Sequence, residues 1–283
     1  MAIYSHSKLS TFEQCKLRYK FRHIDKIKVI ETTIEAFLGK TVHSTLEWLY
    51  LQVKEKKIPT IEETINYYSN NWTENYKDSI KIIRQNLTTK DYFNKGVQFL
   101  IDYYFKHKPF EDNTLEVEKR IVLELDKQGK YKIQGYIDRL VHNLENNELE
   151  IHDYKTANSI PTKDKIEDDR QLALYSIAIK ELFGQDKEVL LIWHYLAHNQ
   201  KITSRRTNEQ LEELKQDIIN LINEIESTTE FPSNKSILCD WCEYKSICPE
   251  FVKQKTLCKI QNSEDKINIS ESKENNKELD IWD

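Results

Sequence analysis

The stretch from Gly135 to Ala157, GYIDRLVHNLENNELEIHDYKTA, decides how the rest of the chain is read. Two stretches rich in β-branched and aromatic residues, on either side of a polar segment containing Asn146 and Asn147, predict a β-hairpin. Side chains alternate along a strand, so Asp153 and Lys155 share one face while His152 and Tyr154 share the other. Folding the hairpin midway between Glu145 and Asn146 sets Asp138 opposite Asp153, where Cβ atoms lie ~4.5–5.5 Å apart. Opposed carboxylates repel, and burial raises the cost unless a cation is present. Mg²⁺ or Mn²⁺ resolves the conflict, because such an ion takes one or two carboxylates and keeps positions for water and a substrate phosphate. With Lys155 alongside to orient a nucleophile or offset developing charge, the pattern suits phosphodiester hydrolysis. An Asp-x-Lys pair also occurs on exposed strands with no function. Here Gly135 allows close backbone approach, and Ile137, Leu140, Val141, Leu149 and Ile151 mark a buried sheet in which charges need a reason.

Working outward, TLEVEKRIVLELD (Thr114 to Asp126) reads as a third strand before the hairpin. After it, DRQLALYSIAIKELFG has helical period and ends on Gly184 as a C-cap; EVLLIWHYLAH and KITSRRT read as a strand pair, and NEQLEELKQDIINLINEIES as an amphipathic helix. Upstream, Phe37, Val42, Leu46, Leu49 and Tyr50 predict a long amphipathic helix, and residues 60–107 a helical insertion broken near Asn86 to Thr89. Residues 7–24 predict one short helix, with Ser10 or Thr11 as N-cap. The fold class is therefore α/β of the mixed α+β kind, with a central sheet flanked by helices.

The chain has 283 residues, 39% of them hydrophobic, enough for a core without disulfide staples. It contains no apolar run of transmembrane length and no signal-peptide layout at MAIYSHSKLSTFEQC, so a cytoplasmic protein without a membrane partner is expected. The net charge of −5 is concentrated in residues 262–283, which carry seven acids and three lysines and are expected, within a tail from 259 to 283, to be disordered. The remainder is nearly neutral, so local basic patches such as KLRYKFRHIDKIK (Lys16 to Lys28) and KITSRR (Lys201 to Arg206) decide its partners, unless they are merely solvated faces.

Four of five cysteines fall in the last part of the chain, and CDWCEYKSIC brings Cys239, Cys242 and Cys248 close together. In a reducing compartment this spacing suggests thiolates converging on a metal centre, with Cys15 or Cys258 as the fourth ligand. Zinc and an iron-sulfur cluster both accept four thiolates, and spacing does not choose between them.

Taken together, GYID and HDYKT resemble the two acidic motifs of PD-(D/E)xK nucleases of the RecB and AddB type. The resemblance implies a restriction-endonuclease-like core spanning residues 1–258, with Asp138 and Asp153 as metal ligands and Lys155 as catalytic lysine. It extends to His43 in GKTVHSTLEWLY, the match to a histidine that completes the metal site in that family. Gln171 and Tyr175 in QLALY match a further catalytic motif and stand at i and i+4 on one helix face. Glu47 shares the face of His43 and is either a partner of the metal site or solvated. Members related to AddB and to the CRISPR-adaptation nucleases pair one upstream cysteine with a later triplet around a [4Fe–4S] cluster. By that likeness Cys15, Cys239, Cys242 and Cys248 are the ligands, and residues 232–258 form a clasp closing on Cys15. The implied activity is a Mg²⁺- or Mn²⁺-dependent DNA exonuclease acting on single-stranded ends in DNA repair or CRISPR adaptation, with a helicase or adaptation protein as partner. A non-catalytic nucleic-acid-binding or assembly subunit of a repair or CRISPR-adaptation complex is the alternative.

Overall fold

The computed structural model describes residues 3–29 and 32–252, which divide into two compact units: residues 3–13 with 32–229, and residues 14–29 with 230–252. Cys258 and the acidic tail lie outside the described residues. In chain order, β1 (Ile3–Tyr4) and α1 (His6–Gln14) precede α2 (Lys16–Tyr19) and a π-helical turn (Lys20–Ile24). Then come α3 (Ile34–Lys54), α4 (Ile61–Asn75), α5 (Thr89–His107), β2 (Thr114–Glu124), β3 (Lys132–Asn143) and β4 (Glu148–Lys155). The series ends with α6 (Lys163–Glu167), α7 (Arg170–Phe183), β5 (Val189–Tyr195), β6 (Gln200–Ser204) and α8 (Asn208–Ser227), followed by a 3₁₀ turn (Ile237–Trp241).

Local chemistry sets the helix boundaries. Thr60 and Glu63, Thr88 and Asp91, and Thr207 and Gln210 form capping boxes at α4, α5 and α8, while the Asp169 carboxylate accepts from the N–H groups of Gln171 and Leu172 at α7. Gly184 follows the last turn of α7 with a positive φ of 124°. The single helix expected over residues 7–24 is instead interrupted at Cys15, which is extended (φ −162°, ψ 109°), and the Leu17 N–H bonds to the Pro232 carbonyl at 3.1 Å. Its N-cap also lies further upstream than Ser10 or Thr11: Ser5 Oγ accepts from the Lys8 N–H at 3.2 Å, whereas Thr11 Oγ1 bonds back to the Ser7 carbonyl inside the helix.

The first unit is built on a six-stranded mixed sheet in the order β1-β3-β4-β5-β6, with β2 also on β3. Because β2 pairs with β3 from residue 132 to residue 141, β1 (at Lys132 and Ile133) and β4 (from Arg139 to Asn143) must share the other edge of β3. Between them residues 134–138, including Asp138, form no ladder with either strand. β4 and β5 run parallel, joined by the α6–α7 crossover, and β6 returns antiparallel.

Helices cover the sheet as the restriction-endonuclease-like class requires. α3, α4 and α5 meet in a cluster containing Val42, Leu46, Tyr50, Tyr68, Trp72, Leu100 and Tyr103, so the segment read as an insertion supplies much of this core. α7 packs on α8 and on β2, β4 and β5, with Ile177, Ile218, Leu123, Ile151 and Leu191 buried. Each such aliphatic side chain contributes ~1.5–3 kcal/mol on burial. Among the described residues no helix is long and apolar enough to cross a membrane.

Candidate active site

Helix α3 carries His43 to the open stretch of β3. Its Nε2 lies 2.6 Å from the Tyr154 carbonyl, to which it donates, so Nδ1 is left to face Asp138 Oδ2 at 3.3 Å. The same Asp138 oxygen accepts the Tyr154 N–H at 2.9 Å. One β4 residue is thus held through both main-chain groups, by the two side chains read as metal ligands. The β3–β4 register pairs Arg139 with His152, which puts Asp138 and Asp153 at matching positions one residue beyond the end of the ladder.

A third carboxylate joins them. His43, Glu118 and Asp138 each offer a ligand atom within 4.8 Å of the others. Val117 pairs with Arg139 and Lys119 with Ile137, leaving Glu118 and Asp138 at the intervening position. Glu118 has a φ of 48°, a left-handed conformation that costs a non-glycine residue roughly 1–2 kcal/mol and that gathers at functional sites. The sequence held the signal, since folding about the turn near Gly129 with Gly135 opposite Ile121 sets 118 against 138, but Glu118 looked like one more charge on an alternating strand.

Asp153 sits beside this trio and faces Lys155. The Lys155 ammonium donates to Asp153 Oδ1 at 3.0 Å and to Gln171 Oε1 at 3.2 Å. Oδ2 of Asp153 lies 2.8 Å from the same nitrogen but outside hydrogen-bonding geometry, so a buried carboxylate oxygen keeps unused acceptor capacity. Gln171 Nε2 reaches Tyr175 Oη at 3.4 Å, as the i, i+4 spacing on α7 predicts. Tyr175 lies against Gly135: a Cβ there would stand 2.3 Å from its ring, so any larger residue would force the ring to move.

The electrostatics describe a site short of positive charge. Burial, reinforced by Asp138, pushes the Asp153 carboxyl up to about 6 in spite of Lys155. Burial together with Asp138 and Glu47 pushes Glu118 up to about 7. Burial alone would lower His43, but its hydrogen bond to Asp138 and the nearby carboxylate charges prevail and raise it to about 9. Burial likewise opposes the charge on Lys155, and the Asp153 charge outweighs it. Two carboxylates and an imidazole lie within ligand distance of one another, with Asp153 beside that group but outside it; this oxygen-rich set suits Mg²⁺ or Mn²⁺, and the spare oxygen on Asp153 fits that chemistry.

A protein-family model of the PD-(D/E)XK nuclease superfamily matches residues 3–249. The chain belongs to this superfamily. Two solved structures are similar to this PD-(D/E)XK chain. SSO0001 is 15% identical, with 86% of this chain and 95% of that one covered at a TM-score of 0.37. A protein from Eubacterium rectale provisionally described as an exonuclease is 12% identical, with 83% and 86% covered at a TM-score of 0.46. No curated protein matches the chain. Family membership rests on the sequence model.

The second unit of this PD-(D/E)XK chain contains a pocket lined by Cys15, Cys239, Cys242 and Cys248 together with Leu17, Phe21, Leu238, Tyr244 and Phe251. All four cysteines are free thiols. Burial raises the Cys242 thiol, and Cys15 is among the neighbours that add to the shift. Around them Arg18 pairs with Glu243 at 2.8 Å, and Tyr244 Oη donates to the Ile27 carbonyl at 3.0 Å. Among the described residues no three thiols lie within 4.8 Å of one another. Tetrahedral Zn–S bonds of about 2.3 Å would hold sulfurs ~3.8 Å apart.

Proposed function

We propose that this chain is a divalent-metal-dependent deoxyribonuclease that hydrolyses phosphodiester bonds at single-stranded ends. The observation carrying this reading is the convergence of His43, Glu118 and Asp138 beside the Asp153–Lys155 pair in a PD-(D/E)XK nuclease. His43 Nδ1, Asp138 and Asp153 would hold the Mg²⁺ or Mn²⁺ ion, with Glu118 as a further ligand. When bound, the ion supplies Lewis acidity at the scissile phosphate and lowers the pKa of a water. Lys155, kept protonated by Asp153, donates to the attacking water or to a phosphoryl oxygen. Gln171 holds the Lys155 ammonium in place, and Tyr175 braces Gln171 against the close approach at Gly135. The exonucleolytic preference, and a place in DNA repair or CRISPR adaptation beside a helicase or adaptation protein, are supported by the resemblance to RecB and AddB nucleases alone.

The four thiols we assign to a [4Fe–4S] cluster with a structural role, supported by their shared pocket and by the resemblance to AddB and the CRISPR-adaptation nucleases. Two measurements test these assignments. End-labelled single-stranded DNA incubated with Mn²⁺ should be shortened by the wild-type protein and spared with EDTA or by Asp153→Ala, at a loss of at least 100-fold. Equal cleavage by Asp153→Ala would sink the nuclease site. Anaerobically purified protein should show broad visible absorbance that Cys242→Ser abolishes, whereas a colourless, zinc-containing protein would exclude the cluster.

A further inference from the structure

Behind the candidate active site, on the far side of Tyr154, lies a buried polar network centred on Arg139, which is 1% exposed. Its Nε donates to Tyr154 Oη at 3.0 Å, one terminal nitrogen donates to Asp112 and to Thr114 Oγ1, and the other reaches His152 Nδ1 at 2.9 Å. The guanidinium lies 3.9 Å from the centre of the Tyr50 ring, and Tyr103 Oη bridges the Tyr50 and Tyr154 hydroxyls at 2.7 and 3.3 Å.

This geometry fixes protons as well as positions. Arg139 can only donate, so His152 Nδ1 must accept and its proton sits on Nε2, which bonds to Glu150 at 3.1 Å. The guanidinium therefore selects one tautomer at His152, whose single acceptor nitrogen also faces His194.

Resting on the nuclease reading above, we propose that Arg139 is a positioning residue for the metal site. It clamps Tyr154, and the Tyr154 main chain in turn orients Asp138 through its N–H and His43 through its carbonyl. Asp138 and Arg139 are chain neighbours on β3, so the ligand and the group that steadies the residue holding it are fixed by one strand. Hydrogen-bond partners behind metal ligands typically carry ~10–100-fold in metal affinity or activity.

Mn²⁺ uptake, followed by the electron paramagnetic resonance signal of the free ion, tests this on the full chain. Arg139→Lys keeps the charge but loses the planar fork, and Tyr154→Phe removes one oxygen while leaving the main chain intact. At a temperature where melts in EDTA show the metal-free variants still folded, both should bind Mn²⁺ about 10-fold or more weakly, and DNA cleavage should recover as Mn²⁺ is raised. Wild-type affinity in Tyr154→Phe, whatever its melting temperature, would overturn the inference alone; that variant decides if Arg139→Lys does not fold. A wild-type protein that binds no Mn²⁺ would overturn the metal-site reading and this inference with it.

Discussion

At the level of single residues, the position of Glu118 carries the most new information. Asp138, Asp153 and Lys155 could be picked out from their setting in the hairpin, and His43 from the resemblance to RecB- and AddB-type nucleases. Glu118 stands among Glu116, Lys119 and Glu124 on a strand of ordinary alternation, and only its pairing with β3 makes it special. If it contributes to ion binding, Glu118→Gln should raise the Mn²⁺ concentration for half-maximal cleavage about 10-fold while leaving the melting temperature of the metal-free protein unchanged or higher. Removing a half-buried carboxylate that desolvation and Asp138 already disfavour relieves repulsion when no ion is present. Titrating Mn²⁺ into wild-type and variant assays checks this, and identical curves would remove Glu118 from the ligand set.

At the level of elements, β3 and α7 meet where a glycine is required. The QLALY spacing showed that Gln171 and Tyr175 share a helix face, and Gly135 signalled a close approach, but the sequence could not connect the two. In the fold the Tyr175 ring fills the space above Gly135. Gly135→Ala should therefore destabilise the protein by about 1–3 kcal/mol, read as a fall in melting temperature, and should lower cleavage by displacing Tyr175 from Gln171. An alanine variant with unchanged stability and activity would show that the ring is free to move. The first helical segment teaches the opposite lesson. Its apolar spacing is continuous from Leu9 to Phe21, yet the chain breaks at Cys15, because hydrogen bonds to Pro232 and Asn234 and a place in the thiol pocket outweigh local helical preference.

For the molecule as a whole, the crowded carboxylates and His43 link stability to pH and to metal. His43 is raised from 6.5 to about 9, so its stabilising contribution is complete below pH 6.5 and is lost as pH rises through 9. Asp153, raised from 3.8 to about 6, and Glu118, raised from 4.5 to about 7, act in the same direction: their protonated forms suit the fold, and each contribution fades as pH climbs through the raised value. The His43 change alone is worth on the order of 2–3 kcal/mol. In EDTA, the melting temperature should fall from pH 6.5 to pH 9 more steeply for the wild type than for His43→Ala. Saturating Mn²⁺ should stabilise the protein more at pH 8 than at pH 6, because the ion binds the deprotonated groups. Thermal melts across that range check both, and a metal effect that grows toward low pH would contradict the assignment of these ligands.

The sequence alone determined the hairpin, the shared face of Asp153 and Lys155, the alternation of helices and strands and the grouping of cysteines, because each follows from local periodicity or spacing along one segment. Tertiary structure decided that Glu118 joins His43 and Asp138, that Tyr154 is held by both, and that Arg139 stands behind it. Those relations depend on which strand lies beside which and on which helix crosses above. Such contacts are fixed by packing between segments far apart in the chain, where no single stretch of sequence records its neighbour.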